Sequence, residues 1–229
     1  MKNLKVIISG GGTGGHIFPA IAIAKAIENK VQNVEILFVG AEDRMEMEKV
    51  PAAGYKIKGL WISGLQRKLD KRNLLFPFKV IHSIFKAKNI VKEFKPDLAI
   101  GTGGYASAPL LYAAAKKGIP TVIQEQNSYP GITNRILAKH VQKICVAYDE
   151  MERFFPTEKL IITGNPIREG ILDFNNKVTD GQVKFNIDKT KPTVLVVGGS
   201  LGALTINNAI AENINQIKNM DVNLIWQTG

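Results

Sequence analysis

Residues 4–20 read Leu4-Lys-Val-Ile-Ile-Ser-Gly10-Gly-Gly-Thr-Gly-Gly-His16-Ile-Phe-Pro-Ala20. A short β-branched run gives way to glycines and then to a helix-compatible segment: the pattern of a buried strand, a tight turn and a helix. The apolar run lacks strict alternation, as expected of a parallel strand covered on both faces. Glycine permits positive φ and a close approach to a ligand. The helix that follows presents unpaired N–H groups and a partial positive charge, which suits phosphate.

Working outward, the same unit recurs at Gly101-Thr-Gly-Gly104 and Gly198-Gly-Ser-Leu-Gly202. Strands are predicted near Lys5–Ser9, Glu35–Val39, Tyr55–Leu60, Leu98–Gly101, Thr121–Ile123, Lys143–Ala147 and Leu160–Thr163. Helices are predicted near Pro19–Asn29, Arg44–Ala52, Leu74–Phe94, Ser107–Lys117 and Thr133–Ala138. The alternation specifies an α/β fold, a doubly wound, Rossmann-like domain over residues 1–164. After Gly164-Asn-Pro166, the polar stretch 173–191 reads as loop or linker. A strand at Thr193–Val197, a helix from about Ala203 and a strand at Asn223–Gln227 then begin a second Rossmann-like domain. Residues 165–229 are therefore expected to be linker and an incomplete domain. One β-α-β unit leaves Val194, Leu195, Val197, Leu224 and Ile225 under-covered.

The composition is globular: 229 residues, 45% hydrophobic and 22% charged. The lone Cys145, in an apolar run, excludes a disulfide framework and reads as an inert buried thiol. No apolar stretch approaches the ~20 residues that span a bilayer, and the N-terminus reads as a strand rather than a secretory signal, so a cytoplasmic chain is expected. Of the net charge of +10, the window Gln66–Lys95 carries +7, with nine basic side chains against Asp70 and Glu93. A charge this local marks a surface for something anionic. Nucleic acid is not indicated, because no stacking aromatics or recognised binding motif accompany the lysines.

Two phosphate-ligand readings of the first turn fail on its neighbours. A dinucleotide site needs an acid at the end of the second strand, whereas Glu35 opens that strand and Glu42 and Asp43 lie beyond Gly40. A Walker loop needs Lys and Ser/Thr where His16 and Ile17 stand.

Five ordered motifs carry a more specific resemblance: residues 11–20, Gly103-Gly-Tyr-Ala-Ser107, Glu125-Gln-Asn127, Gly164-Asn-Pro-Ile-Arg168 and Gly198-Gly-Ser-Leu-Gly-Ala203, with Ala41-Glu-Asp-Arg-Met45 and Ile62-Ser-Gly-Leu65 between them. Together they resemble the MurG family, peripheral-membrane GT-B glycosyltransferases of peptidoglycan synthesis. That resemblance implies an inverting transfer of N-acetylglucosamine from UDP-N-acetylglucosamine to the muramyl 4-hydroxyl of lipid I, at the cytoplasmic face of the cell membrane. It implies catalysis without metal or cofactor, helix N-termini and backbone N–H groups stabilising the departing diphosphate. Family members are considerably longer, so the chain reads as truncated and inactive alone. Gln124 stands where the family usually has His.

The resemblance and the turn geometry together nominate site residues. Thr13, Gly14 and Gly15 are expected at the departing UDP diphosphate, across the cleft from the second domain. His16 is expected to be either the general base or a loop-bracing histidine, and Glu125 either an alternative base or a brace for the glycine loops. Asn127 is expected to bind donor or acceptor sugar, Arg168 and Ser200 the donor phosphates, and Gly103, Gly104 and Tyr105 the acceptor pyrophosphate. His82 and His140 read as structural or surface residues. Around Leu74–Phe94, an apolar cluster beside lysines suggests contact with an anionic membrane surface. Two other functions remain compatible with the sequence: a non-catalytic acceptor-binding module, and another GT-B UDP-sugar enzyme such as an epimerase.

Overall fold

The computed structural model describes residues 3–64, 74–168, 178–199 and 202–229. Two compact units result, residues 1–168 and 169–229, against an expected boundary at 164.

In the first unit, β1 (Leu4–Gly10), β2 (Val34–Ala41), β3 (Lys56–Leu60), β4 (Leu98–Gly103), β5 (Thr121–Glu125), β6 (Lys143–Val146) and β7 (Leu160–Ile162) form one parallel sheet in the order β3-β2-β1-β4-β5-β6-β7. The order reverses direction between β1 and β4, which pair with Val6 opposite Leu98 and Ile8 opposite Ile100. Alternate β1 residues feed separate cores. Val6 and Ile8 join Ile17, Ala20 and Ile21 of α1 (Gly14–Lys30) and Val50 of α2 (Glu46–Ala52). Ile7 faces the other layer, built from α3 (Phe76–Phe94), α4 (Ser107–Lys116) and α5 (Ile132–Leu137). Helices thus cover both faces, and the Val/Ile-rich strands are buried as that requires. Single 3-10 turns at Met151–Arg153 and Thr157–Lys159 connect β6 to β7.

Two expectations need correction. The sequence puts a helix near Pro19–Asn29 and His16 at the helix start; the helix begins at Gly14 and carries Pro19 inside it. The start is set by Thr13, whose extended backbone (φ −146°) and carbonyl, accepting from His16 and Ile17, form the N-cap. His16 therefore lies within the first helical turn. The stretch 173–191, read as loop, contains α6 (Val178–Lys184).

The second unit has a two-stranded parallel sheet, β8 (Thr193–Val197) with β9 (Asn223–Gln227), and the helices α7 (Leu204–Glu212) and α8 (Ile214–Lys218). The single helix expected after Ala203 is split at Asn213, whose Nδ2 donates back to the Ala209 carbonyl. None of this unit's described residues is buried. Val194, Leu195 and Val197 are exposed, while Leu224 and Ile225 are half-buried. Among the described residues of the whole chain, no helix is long and apolar enough to cross a membrane.

Candidate functional site

Where β1 and β4 diverge, their two glycine turns pack against each other. Gly11 N–H donates to the Gly103 carbonyl at 3.3 Å. A Cβ on Gly104 (φ +89°) would overlap the Gly11 carbonyl, so the packing requires glycine there. Ser107 Oγ bonds to the carbonyls of Ser9 (2.9 Å) and Gly103 (2.8 Å), and Thr102 Oγ1 donates to the His16 carbonyl (2.7 Å). Strand ends, turns and the first turn of α1 are thereby one bonded unit.

Glu46, in the first turn of α2, is fully buried. Its Oε2 accepts the Gly12 N–H and its Oε1 the Ala41 N–H, both at 2.9 Å. With Gly11 and Gly12 committed, no protein acceptor is assigned among the described residues to the N–H groups of Thr13, Gly14 and Gly15. These three groups meet at a helix N-terminus, the arrangement that receives an anion.

His16 Nδ1 lies 3.0 Å from the Gly11 carbonyl and 3.3 Å from Thr13 Oγ1. A carbonyl only accepts, so Nδ1 carries the proton and Nε2 of the neutral ring holds the lone pair. The ring edge rests against Gly103, where a Cβ would come within 2.7 Å of Cδ2.

Glu125, at the end of β5, is bonded on both oxygens. Oε1 accepts from the Asn127 backbone N–H and side-chain Nδ2, each at 3.0 Å. Oε2 accepts from Gly131 N–H at 3.1 Å and Asn134 Nδ2 at 2.9 Å. Four donors fit a brace that ties β5 to α5; a base would have to release them.

A pocket of about 180 Å³ gathers these parts: Gly11, Gly12, Thr13 and His16 from the first turn, Gly103, Gly104 and Tyr105 from the second, Glu125 from the end of β5, and Gly131–Asn134 from the start of α5. Gly14 and Gly15 adjoin it through the α1 terminus. Asn127 and Arg168, like Gly14 and Gly15, lie outside its lining. Asn127 is exposed and its amide turns towards Glu125. Arg168 stacks over Phe18, 4.5 Å from the ring centroid. Ser200 lies outside the described residues, as do Arg67, Lys68, Asp70, Lys71 and Arg72. A larger groove of about 530 Å³ runs along the opposite, N-terminal ends of β1–β3. Two ion pairs lie along it, Lys5 with Glu35 and Lys58 with Glu93.

Sequence reasoning missed Glu46, Gly131, Ile132, Thr133 and Asn134. Chain order after Glu125-Gln-Asn127 was the available signal for the last four. Gln124, the departure from the resembled pattern, is buried; its Nε2 donates to the Glu125 carbonyl at 3.2 Å and approaches Asn165 Oδ1 at 3.5 Å. His82 and His140 are exposed, stacked edge-on against Trp61 and Tyr112. The Cys145 thiol is half-buried, and burial pushes its pKa up.

Comparison with known proteins bears on the family and the fold. Residues 6–146 match the model of the glycosyltransferase family 28 N-terminal domain. Proteins named UDP-N-acetylglucosamine–N-acetylmuramyl-(pentapeptide) pyrophosphoryl-undecaprenol N-acetylglucosamine transferase are 59% identical in Cytophaga hutchinsonii and 56% identical in Christiangramia forsetii, each across 100% of this chain. The chain spans 62% of the length of each of these curated relatives. The crystal structure of Acinetobacter baumannii MurG superposes with a TM-score of 0.71 at 29% identity, covering 99% of this chain and 61% of that one. UDP-GlcNAc 2-epimerase from Neisseria meningitidis shares the fold, with a TM-score of 0.62 at 17% identity over 99% of this chain and 73% of that one. The fold class is the Rossmann-like α/β type of the GT-B glycosyltransferases, and with more than half its length matched to the family's N-terminal domain, the chain belongs to glycosyltransferase family 28.

Proposed function

We propose that this chain is the acceptor-handling part of an inverting transferase that moves N-acetylglucosamine from UDP-N-acetylglucosamine to the muramyl 4-hydroxyl of lipid I. One observation carries the reading: a histidine with its lone pair on Nε2 stands in the same helical turn as unpaired backbone N–H groups. The pocket thus couples a base to an anion site. The N–H groups of Thr13, Gly14 and Gly15 hold a phosphate of the acceptor pyrophosphate, with Gly103, Gly104 and Tyr105 on the facing wall. His16 Nε2 takes the proton of the 4-hydroxyl while that oxygen attacks the anomeric carbon. The bond from that carbon to the diphosphate oxygen breaks, and its electron pair leaves with UDP. Glu125 holds the third wall in place, with Asn127 as its donor. On the donor side we assign Arg168 and Ser200. Stacking on Phe18 occupies the face of the Arg168 guanidinium and leaves its in-plane N–H groups to meet phosphate.

The acceptor is a membrane lipid, and α3 supplies a surface for reaching it. Its inner stripe, Val80, Ser83, Ala87, Ile90 and Val91, packs on the sheet. A second stripe points outward: Phe78 (66% exposed), Ile81 and Phe85 (62%), with the exposed Leu74 just before the helix. Lys79 stands over Trp61 and Lys88 over Phe85. We assign this face to an anionic bilayer at the cytoplasmic side, aromatics at the acyl boundary and lysines at headgroups.

The test is a polypeptide in which residues 1–229 replace the matching part of the Cytophaga hutchinsonii relative. It should transfer labelled N-acetylglucosamine from UDP-N-acetylglucosamine to lipid I. Failure of a folded chimera to do so contradicts the reading.

A further inference from the structure

Gly64 is glycine for a reason that its own backbone does not supply. It follows β3, is buried, and has a φ outside the left-handed range. A side chain is compatible with that backbone. It is not compatible with the space. The three atoms nearest a Cβ built on Gly64 are Oη, Cζ and Cε1 of Tyr105, and the added carbon would overlap the phenol. On the opposite edge of the same ring, Cε2 would lie 3.7 Å from a Cβ on Gly12. The ring thus reaches from the second glycine turn to Gly64, with its other edge beside the first turn. The segment that carries Gly64 is fixed by α3. Ser83, fully buried, donates from Oγ to the Trp61 carbonyl at 2.9 Å, and Lys79 Nζ donates to Ser63 Oγ at 3.1 Å. Ile62 packs in the same core as Ala87 and Ile90 of that helix. Tyr105 is 43% exposed, so of the two partners the ring is the one that can yield.

We propose that Gly64 is a positioning residue of the acceptor site: its bare Cα seats the Tyr105 phenol at the pocket wall, where the O–H donates to a phosphate oxygen. This rests on the phosphate reading of the pocket and adds to it the residue that sets one wall. A methyl group at position 64 moves the ring by ~1 Å or more before carbon atoms regain contact distance. A hydrogen bond made by the phenol does not survive that shift, because its donor–acceptor distance tolerates only a few tenths of an ångström. The fold survives it, because the displaced ring turns towards solvent. Gly64 therefore acts on binding through Tyr105 alone.

A double-mutant cycle tests it, with inorganic pyrophosphate titrated calorimetrically into the 229-residue chain and its Gly64→Ala, Tyr105→Ala and doubly substituted variants. Gly64→Ala should weaken binding by about 5- to 10-fold, the scale of one lost hydrogen bond, with little change in the melting temperature. In the Tyr105→Ala background the same substitution should change affinity by less than about 2-fold, since contacting residues are not additive. Unchanged binding by Gly64→Ala, or the full loss repeated without the ring, overturns the role of Gly64 alone. No pyrophosphate binding to the unsubstituted chain overturns the phosphate reading beneath it, and the proposal with it. Should Gly64→Ala fail to fold, NMR of the unsubstituted chain still decides. Nuclear Overhauser effects should join the Gly64 Hα protons to the Tyr105 ring, and the ring resonances should shift as pyrophosphate binds. Missing cross-peaks, or a ring unmoved at saturation, contradict the proposal.

Discussion

The buried carboxylate of Glu46 accepts the backbone N–H of Gly12 at 2.9 Å, across 34 positions of sequence. A side-chain acceptor thus sits behind the turn assigned to an anion, and it acts by taking the Gly12 N–H. Gly12 is held at φ +84°, and the next three N–H groups are left without a protein acceptor among the described residues. Replacing Glu46 by Gln sets an amide NH2 against one of the two backbone N–H donors. Stability should fall by about 1–3 kcal/mol, the cost of an unsatisfied buried group, and pyrophosphate affinity should fall with it. Thermal melts and calorimetry on the same sample check both; an unchanged melt would show that the carboxylate does not hold the turn.

Gly104→Ala tests the packing of the two turns. The position has φ +89°, and a methyl group there overlaps the Gly11 carbonyl rather than a yielding side chain. The expected destabilisation is about 1–3 kcal/mol, measured by denaturant unfolding. Gly131→Ala, with nothing within 4 Å of the added carbon, should be nearly neutral and serves as the control.

His16→Ala, in the chimera described above, should lower turnover by ~10²-fold or more, the scale of losing a general base. The melting temperature should barely move, because the ring is half-buried and contributes two local hydrogen bonds. Turnover at the unsubstituted rate would remove His16 from the chemistry.

Binding to vesicles tests α3. Co-sedimentation should rise with the fraction of anionic lipid and fall with salt, each lysine near the surface contributing about 1 kcal/mol. Changing Phe78 and Phe85 together to Ser should weaken it by about 10-fold or more, given the apolar area withdrawn. Equal binding to neutral vesicles, or the same binding by the double variant, would contradict the membrane assignment.

Much of the fold was readable because its strands are continuous Val/Ile runs ended by glycine. Ile144-Cys-Val146 and Val6-Ile-Ile8 admit little else. The bounds Pro19–Asn29 fell short of the start of α1, because the Gly14-Gly15 pair that forms its first turn has low helix propensity. The helix at Val178–Lys184 was missed because its polar residues show no apolar period. In the site, the first two glycine turns and His16 stood out locally. Glu46 did not, since an acid in a first helical turn ordinarily faces solvent and the N-terminal dipole. Asn134 did not either: its meaning depends on Glu125 and Gln124, which only the parallel sheet brings beside α5.

The most direct test of the central claim, that the N-terminus of α1 receives the acceptor phosphate, is an NMR titration of the 229-residue chain with inorganic pyrophosphate. The backbone amides of Thr13, Gly14 and Gly15 should show the largest shifts, with Gly12 moving little because Glu46 already holds it. Shifts confined to the lysines of α3, or none at the three amides at saturating pyrophosphate, would contradict it.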